Sequence, residues 1–423
     1  MNVSIKPTRS VSGEIRAPPS KAVTHRALFA ALLSKGSTII RNPLSCDDTK
    51  ATANAITALG ASLEYGREKW TVNSNGMPRK PGQAIECGES GVTLRFTIPI
   101  ASLVGAEVIL RGASGLMRRP LQPLIQAMGQ IGVEIDVSGV EVRVGSARNE
   151  GGNVQIPGNV SSQFLSGLLF AAPLMAKGLE ITVTSVLESR GYVSLTMETL
   201  RQHEINVQAN DDMSFFSVAP HQTYRPTNHV IPGDYSSAAF LMSAAAVTES
   251  RIVITGLSEE ESDPDSTFLE VLMKMGVKPE FSSDGLCVEG HGLKAAKVNI
   301  SNCPDLGPII AVLGSRAEGE TEIIGAERLR YKESDRLVSI ASELRRLGAD
   351  IRETSNGLLV SGLSRLHGGM VESHGDHRIA MALAIAALNA AEPVTIHEAQ
   401  CVNKSYPEFF EGMRSLGVEV IER

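Results

Sequence analysis

Residues 329–337 read LRYKESDRL, so Arg330, Lys332, Glu333, Asp335 and Arg336 crowd one short stretch between two leucines. Such a run of charges is ordinarily the solvated face of a helix. Elsewhere in the chain, however, basic residues fall at the starts of apolar segments. Lys21 and Arg26 lie in PSKAVTHRAL, Arg95 follows GESG, Arg119 precedes Pro120, Arg378 belongs to GDHR and Lys404 ends QCVNK. A helix start carries the positive end of its dipole and disfavours cations. Cations gathered there call for a negative partner, and they suit the binding of phosphate or carboxylate groups. Asp305, Glu333 and Asp376 lie in the same turns. A carboxylate among cations has a lowered pKa and can act as a general base, or it can be a cap and ion-pair partner. Both roles stay open for Asp305 and Glu333, whereas Asp376 reads first as the N-cap of its helix.

Other chemistries lack their residues. No G-x-G-x-x-G follows a strand pattern, and neither G-x-x-x-x-G-K-[ST] nor H-E-x-x-H occurs. His377 in GDHR suits a hydrogen bond better than a metal, and GASGLM carries no nucleophile signature. No metal and no cofactor are expected.

The elements that would position these residues repeat. PSKAVTHRALFAALLSKGSTII, GESGVTLRFTIPIASLVGAEVIL, GNVSSQFLSGLLFAAPLMAKGLEITV, GDYSSAAFLMSAAAVTESRIVI, CPDLGPIIAVLGSRAEGETEII and GDHRIAMALAIAALNAAEPVTI share a polar turn, an apolar helix and a short strand. Their starts near Ser20, Gly88, Gly158, Gly233, Pro304 and Gly375 recur at roughly 70 residues. Each is followed by an amphipathic helix and a strand. Leu121, Leu124, Ile125 and Met128 mark one helix face, and Val133, Ile135 and Val137 alternate as a half-buried strand should. Six such units predict two domains of three. The first helix of each unit is apolar all round and should be buried. Its polar start (Ser20; Glu89 and Ser90; Ser161 and Ser162; Ser236 and Ser237; Asp305; Asp376) should cap it. Three parallel helix ends per domain, facing a second set of three, would form a cleft biased toward anions.

The chain has 423 residues, 42% hydrophobic and 21% charged, which exceeds what one core usually holds. Its net charge of −7 argues against nucleic-acid binding. Five scattered cysteines without a C-x-x-C pair fit reduced thiols in a cytoplasmic protein. The N-terminus lacks a signal-peptide core, and the apolar runs are too short to cross a membrane.

PPSKAVTHRAL, GESGVTLR, RRP, GNVSSQFL, GDYSSA, CPDLG, YKESDRL, GDHR and CVNKSYPEFF follow one another over nearly the whole chain. In this order they resemble the 5-enolpyruvylshikimate-3-phosphate synthase family of enolpyruvyl transferases. The resemblance implies an α/β fold of two similar domains, each an inside-out α/β barrel of three repeated units. It places one domain at residues 20–233 and the other at 1–19 plus 234–423, with hinge crossings near 18–20 and 229–234. It further implies transfer of the enolpyruvyl group of phosphoenolpyruvate to the 5-hydroxyl of shikimate 3-phosphate, through a tetrahedral adduct, by a cytoplasmic monomer of chorismate and aromatic amino-acid biosynthesis. Lys21, Gly91, Arg119, Gln163, Arg336, Arg378 and Lys404 would hold phosphoenolpyruvate. Lys21, Ala22, Arg26, Ser161, Ser162, Gln163, Ser189, Tyr192, Asp305 and Lys332 would hold shikimate 3-phosphate. Asp305 would be the base, Glu333 the proton donor to the methylene carbon, and Lys21 and Lys404 alternates in proton transfer.

Some positions depart from the family pattern. Ala22 stands where a serine is usual, Glu89, Val92 and Phe96 alter the second motif, and Arg328 and Leu329 replace an Asn-Trp pair. Glu89 beside a dianion is expected to point away. The related transferase acting on UDP-N-acetylglucosamine uses a cysteine before its arginine motif, where GASGLMRRP has Ser114. A catalytically dead paralogue would have no need of Lys21, Asp305, Glu333 and Lys404 together.

Overall fold

A computed structural model describes residues 1–146, 150–259, 263–362 and 365–423. The chain divides after Pro18 and after Ile231 into two compact units, residues 19–231 and residues 1–18 with 232–423, called here the first and second unit. The first unit carries α1 (Lys21–Leu33), α2 (Asp47–Ala58), α3 (Gly91–Ala101), α4 (Ser114–Met117), α5 (Gln122–Gln130), α6 (Ser162–Ala171) and α7 (Arg190–Gln202). The second carries α8 (Tyr235–Val247), α9 (Phe268–Lys274), α10 (Gly307–Arg316), α11 (Arg336–Arg346), α12 (His377–Leu388) and α13 (Phe409–Ser415).

Among the described residues, six four-stranded sheets share one strand order. In the third, Gly152–Ile156 pairs in parallel with Leu179–Val183 across the crossover helix α6, and a hairpin then adds Phe215–Val218 and the edge strand Gln208–Ala209. A parallel pair needs such a crossover, which explains the apolar helix between two strands. The repeat is therefore a strand, helix, strand, helix and hairpin, with two more strands than the sequence pattern disclosed. Three sheets borrow a strand. His229–Val230 joins Lys35–Arg41, Ser12–Arg16 joins Arg251–Thr255, and Val3–Ile5 lies between Val394–His397 and Val420–Glu422. Strand pairing thus fastens residues 1–18 to the second unit.

The crossover helices are the cores of their units. Every residue of α8 and α12 is buried, as their small, apolar sequences require. In the first unit Phe29, Phe96 and Phe170, one from each crossover helix, meet with ring centroids 5.4–6.3 Å apart. Phe96 is thus a core residue. A Cβ on Gly167 would lie 2.6 Å from the Arg95 carbonyl, so only glycine lets α6 approach α3 this closely.

Ser20, Ser90 and Ser161 cap their helices by accepting from the amides of Val23, Thr93 and Gln163. Ser162, Ser236 and Ser237 lie inside helices, and Asp234 caps α8 in place of the two serines. Asp305 is no cap either; it sits in a 3-10 turn, Pro304–Leu306, ahead of α10. Leu124 and Met128 of α5 are buried as expected, but Ile135–Ser138 is an edge strand and Val137 is exposed. Val142 and Val144 of the neighbouring strand supply that sheet's buried face. Among the described residues, no helix is long and apolar enough to cross a membrane and no His/Cys/Asp/Glu group could hold a metal.

Candidate active site

In the second unit the site grows from one guanidinium. Asp335 caps α11 by accepting from the amides of Leu337 and Val338, and Arg336 is the first residue of that helix. Its side chain is 1% exposed. Nε and Nη2 donate to the two oxygens of Asp376 at 2.8 and 3.2 Å, Nη1 donates to Asp305 Oδ1 at 2.7 Å, and Nη2 reaches Glu333 Oε2 at 2.8 Å. Asp376 also caps α12 by accepting from the Arg378 amide at 2.9 Å. Lys332 Nζ donates to Asp305 Oδ1 at 3.0 Å, Arg378 Nη2 lies 3.4 Å from Asp305 Oδ2, and Lys404 Nζ lies 3.1 Å from Glu333 Oε1. Lys404 ends a 3-10 helix, Ala399–Lys404. Four cations thus face three carboxylates, leaving one net positive charge among them.

A charge this buried persists only where it is paired and hydrogen-bonded. Burial raises the carboxyl of Asp305, but Lys332, Arg378 and Arg336 together hold it well below its ordinary value. Burial lowers the Lys332 ammonium, against the opposing pull of Asp305. Burial would also lower Arg336, but Asp376, Glu333 and Asp305 outweigh it and raise the guanidinium above its usual value. The stretch LRYKESDRL divides accordingly. Lys332, Glu333 and Arg336 turn into the cluster, whereas half-buried Arg330 pairs with Asp335 and Glu353 at 3.1 and 3.3 Å.

In the first unit, Gly91, Arg119 and Gln163 converge. A Cβ on Gly91 would lie 3.4 Å from Gln163 Oε1 and 3.7 Å from Arg119 Nη1. Arg95 Nη1 donates to Gln163 Oε1 at 2.8 Å, which occupies the acceptor end of that amide and leaves its NH2 end for an anion. Glu89 does not point away: its Oε2 lies 3.3 Å from Arg119 Nη2. Arg26 forms a second group. It donates to Thr196 Oγ1, the Ala22 carbonyl and the Tyr192 carbonyl at 2.8–2.9 Å, and its guanidinium lies over the Phe96 and Tyr192 rings. Ser189, at the start of α7, has φ 55° and its carbonyl accepts from the Tyr192 amide at 3.1 Å. A serine in this left-handed region is strained, a feature that clusters at ligand sites. Lys21 Nζ donates to Asp48 Oδ2 at 2.9 Å.

The sequence carries no site expectation for Asp48 or Thr196, places Arg95 only among the basic residues at helix starts, and marks Asp376 first as a cap. Asp48 could have been suspected from the acidic first turn of α2, where CDD opens the helix. Thr196 carries no signal of its own, because its partner Arg26 is 170 residues away.

Residues 5–413 match the family model described as EPSP synthase (3-phosphoshikimate 1-carboxyvinyltransferase). The chain is 38% identical over 421 residues to a 3-phosphoshikimate 1-carboxyvinyltransferase of Clostridium perfringens, covering 98% of each. It is also 38% identical over 415 residues to one from Methanocorpusculum labreanum, covering 97% of this chain and 98% of that one. The solved EPSP synthase of Acinetobacter baumannii superposes with a TM-score of 0.81 at 27% identity over the full length of both chains.

Proposed function

We infer the activity from membership: the chain belongs to the EPSP synthase family, and it transfers the enolpyruvyl group of phosphoenolpyruvate to the 5-hydroxyl of shikimate 3-phosphate with release of phosphate. The observation that supports this reading best is the buried cluster around Arg336, four cations whose carboxylate partners a phosphorylated substrate can replace. Lys21, Gly91, Arg119, Gln163, Arg336, Arg378 and Lys404 are assigned to phosphoenolpyruvate. Lys21, Ala22, Arg26, Ser161, Ser162, Gln163, Ser189, Tyr192, Asp305 and Lys332 are assigned to shikimate 3-phosphate.

Asp305 takes the proton of the 5-hydroxyl as that oxygen bonds to C2 of phosphoenolpyruvate, and Glu333 delivers a proton to C3. Loss of a C3 proton then restores the double bond as the C2–O bond to phosphate breaks. Lys21 and Lys404 are alternates in these transfers. Catalysis rests on placing two anions together and on fixed charges around the changing ones. Anions that draw Lys332, Arg336 and Arg378 away from Asp305 also raise its basicity, because its low pKa comes from those three cations. Ala22 withholds one hydroxyl from the shikimate carboxylate, a hydrogen bond worth about 1.5–3 kcal/mol when one partner is charged. The reading includes a cytoplasmic monomer and, given the net charge of −7, no nucleic-acid partner.

Purified protein should release phosphate only when phosphoenolpyruvate and shikimate 3-phosphate are both supplied. Release with UDP-N-acetylglucosamine in place of shikimate 3-phosphate would overturn the assignment.

A further inference from the structure

Two ties join α11 to the turn that opens α12. One is the Arg336–Asp376 pair. The other lies seven residues along α11, about two helical turns, and involves no residue assigned to a substrate. Glu343 is 1% exposed and carries a carboxylate. It accepts from Ser342 Oγ at 3.1 Å, from the Glu372 amide at 3.0 Å and from His374 Nε2 at 2.9 Å, with Arg346 Nε 3.6 Å away. A carboxylate only accepts, so His374 holds its proton on Nε2.

His374 sits in a demanding place. The Asp376 amide donates to the Ser373 carbonyl at 3.0 Å, and the two residues between, His374 and Gly375, have φ 54° and 65°. Positive φ at both central positions is the type I′ pattern, which glycine adopts freely and a residue with a Cβ does not. The other end of the turn is held by Ser373, whose Oγ donates to the Glu398 carbonyl and accepts from the Gly375 amide, each at 3.2 Å. The next residue, Asp376, clamps Arg336 and caps Arg378. The imidazole bond to Glu343 therefore supports a turn that places two of the cations.

We propose that Glu343 and His374 are a positioning pair: the buried carboxylate, acting through the imidazole, fixes the turn at 373–376 so that Arg336, clamped by Asp376, and Arg378 meet phosphoenolpyruvate in one arrangement. The proposal rests on the assignment of Arg378 to that substrate. Neither residue touches the reacting atoms.

His374→Gly tests it, because glycine suits the turn's φ while removing the tether. The KM for phosphoenolpyruvate should rise about tenfold, the value of one hydrogen bond to a charged group. The KM for shikimate 3-phosphate should stay unchanged and kcat should fall much less. His374→Gln, which returns an N–H at similar reach, should recover most of the loss. Unchanged constants for both substrates, or an equal rise in both, would overturn the proposal. If wild-type protein releases no phosphate, the reaction assignment fails on its own. The pair is then judged by amide hydrogen exchange at Asp376 and Arg378: faster exchange in His374→Gly supports it and equal exchange refutes it.

Discussion

The two units repeat one architecture three times each, yet they hold their cations differently. In the second unit Arg336 is bound by three carboxylates and is almost wholly buried, so its charge is already balanced. In the first unit the hydrogen bonds of Arg26 and Arg95 include hydroxyl, amide and carbonyl oxygens. Carboxylates there sit on Lys21 and Arg119. The difference teaches how a protein presents positive charge: neutral acceptors leave the charge available to a ligand, whereas carboxylates must be displaced or must change protonation when the ligand arrives. On the proposed assignments, the second arrangement would couple binding to the basicity of Asp305.

The contrast is most easily broken by truncation. Arg336→Ala leaves Asp376, which is fully buried, without its partner and should cost about 3–5 kcal/mol in denaturant unfolding of the second unit. Arg26→Ala removes bonds to the neutral oxygens of Thr196, Ala22 and Tyr192 and should cost less, about 1–3 kcal/mol. Equal losses would end the distinction.

Acid should sharpen it. His25, His203 and His229 of the first unit are buried, and burial pushes them from 6.5 to about 3, about 4 and about 4. His203 Nδ1 donates to the Arg225 carbonyl at 2.7 Å, so its Nε2 accepts from His229 Nε2 at 2.8 Å, and a further proton would set two donors face to face. Between pH 6.5 and 4 the unfolded chain binds more protons than the folded one, so stability falls as pH falls through this window. The loss is about 3 kcal/mol for a histidine taken singly. Asp305, whose pKa is lowered, loses its contribution only below its unfolded value of 3.8. Thermal unfolding followed from pH 7 to 4.5 should therefore show the first unit melting earlier as the pH falls.

The smallest effect is expected at the Glu89–Arg119 pair. Glu89 is 42% exposed, and such pairs are worth about 0–1 kcal/mol. Glu89→Gln should remove one carboxylate from Arg119 and lower the KM for phosphoenolpyruvate by up to about fivefold. A rise in KM would mean that Glu89 orients Arg119 rather than competing for it.

Much of this was legible in the sequence. The crossover helices announce themselves by stretches of small and apolar residues, and the cations that violate dipole preference at their starts mark the polar ends. What the sequence pattern hid was non-local. Three borrowed strands cannot be seen without pairing partners, and Gln208–Ala209 is too short for any periodicity. Asp305 read as a cap because its position before an apolar helix imitates one, yet its three ion pairs come from residues 27, 31 and 73 positions downstream. The His374–Glu343 bond was invisible for the same reason, since a histidine at positive φ carries no signature in its neighbours.

The central claim is that the cations of the second unit keep Asp305 ionised until substrate anions take them. Carbon-13 NMR of labelled aspartate, assigned with Asp305→Asn, would follow that carboxyl through pH with and without both substrates. The account predicts a titration well below the usual aspartate range in the free protein and a clear upward move in the complex. A carboxyl that titrates normally when free, or that stays equally acidic when both substrates are bound, would contradict it.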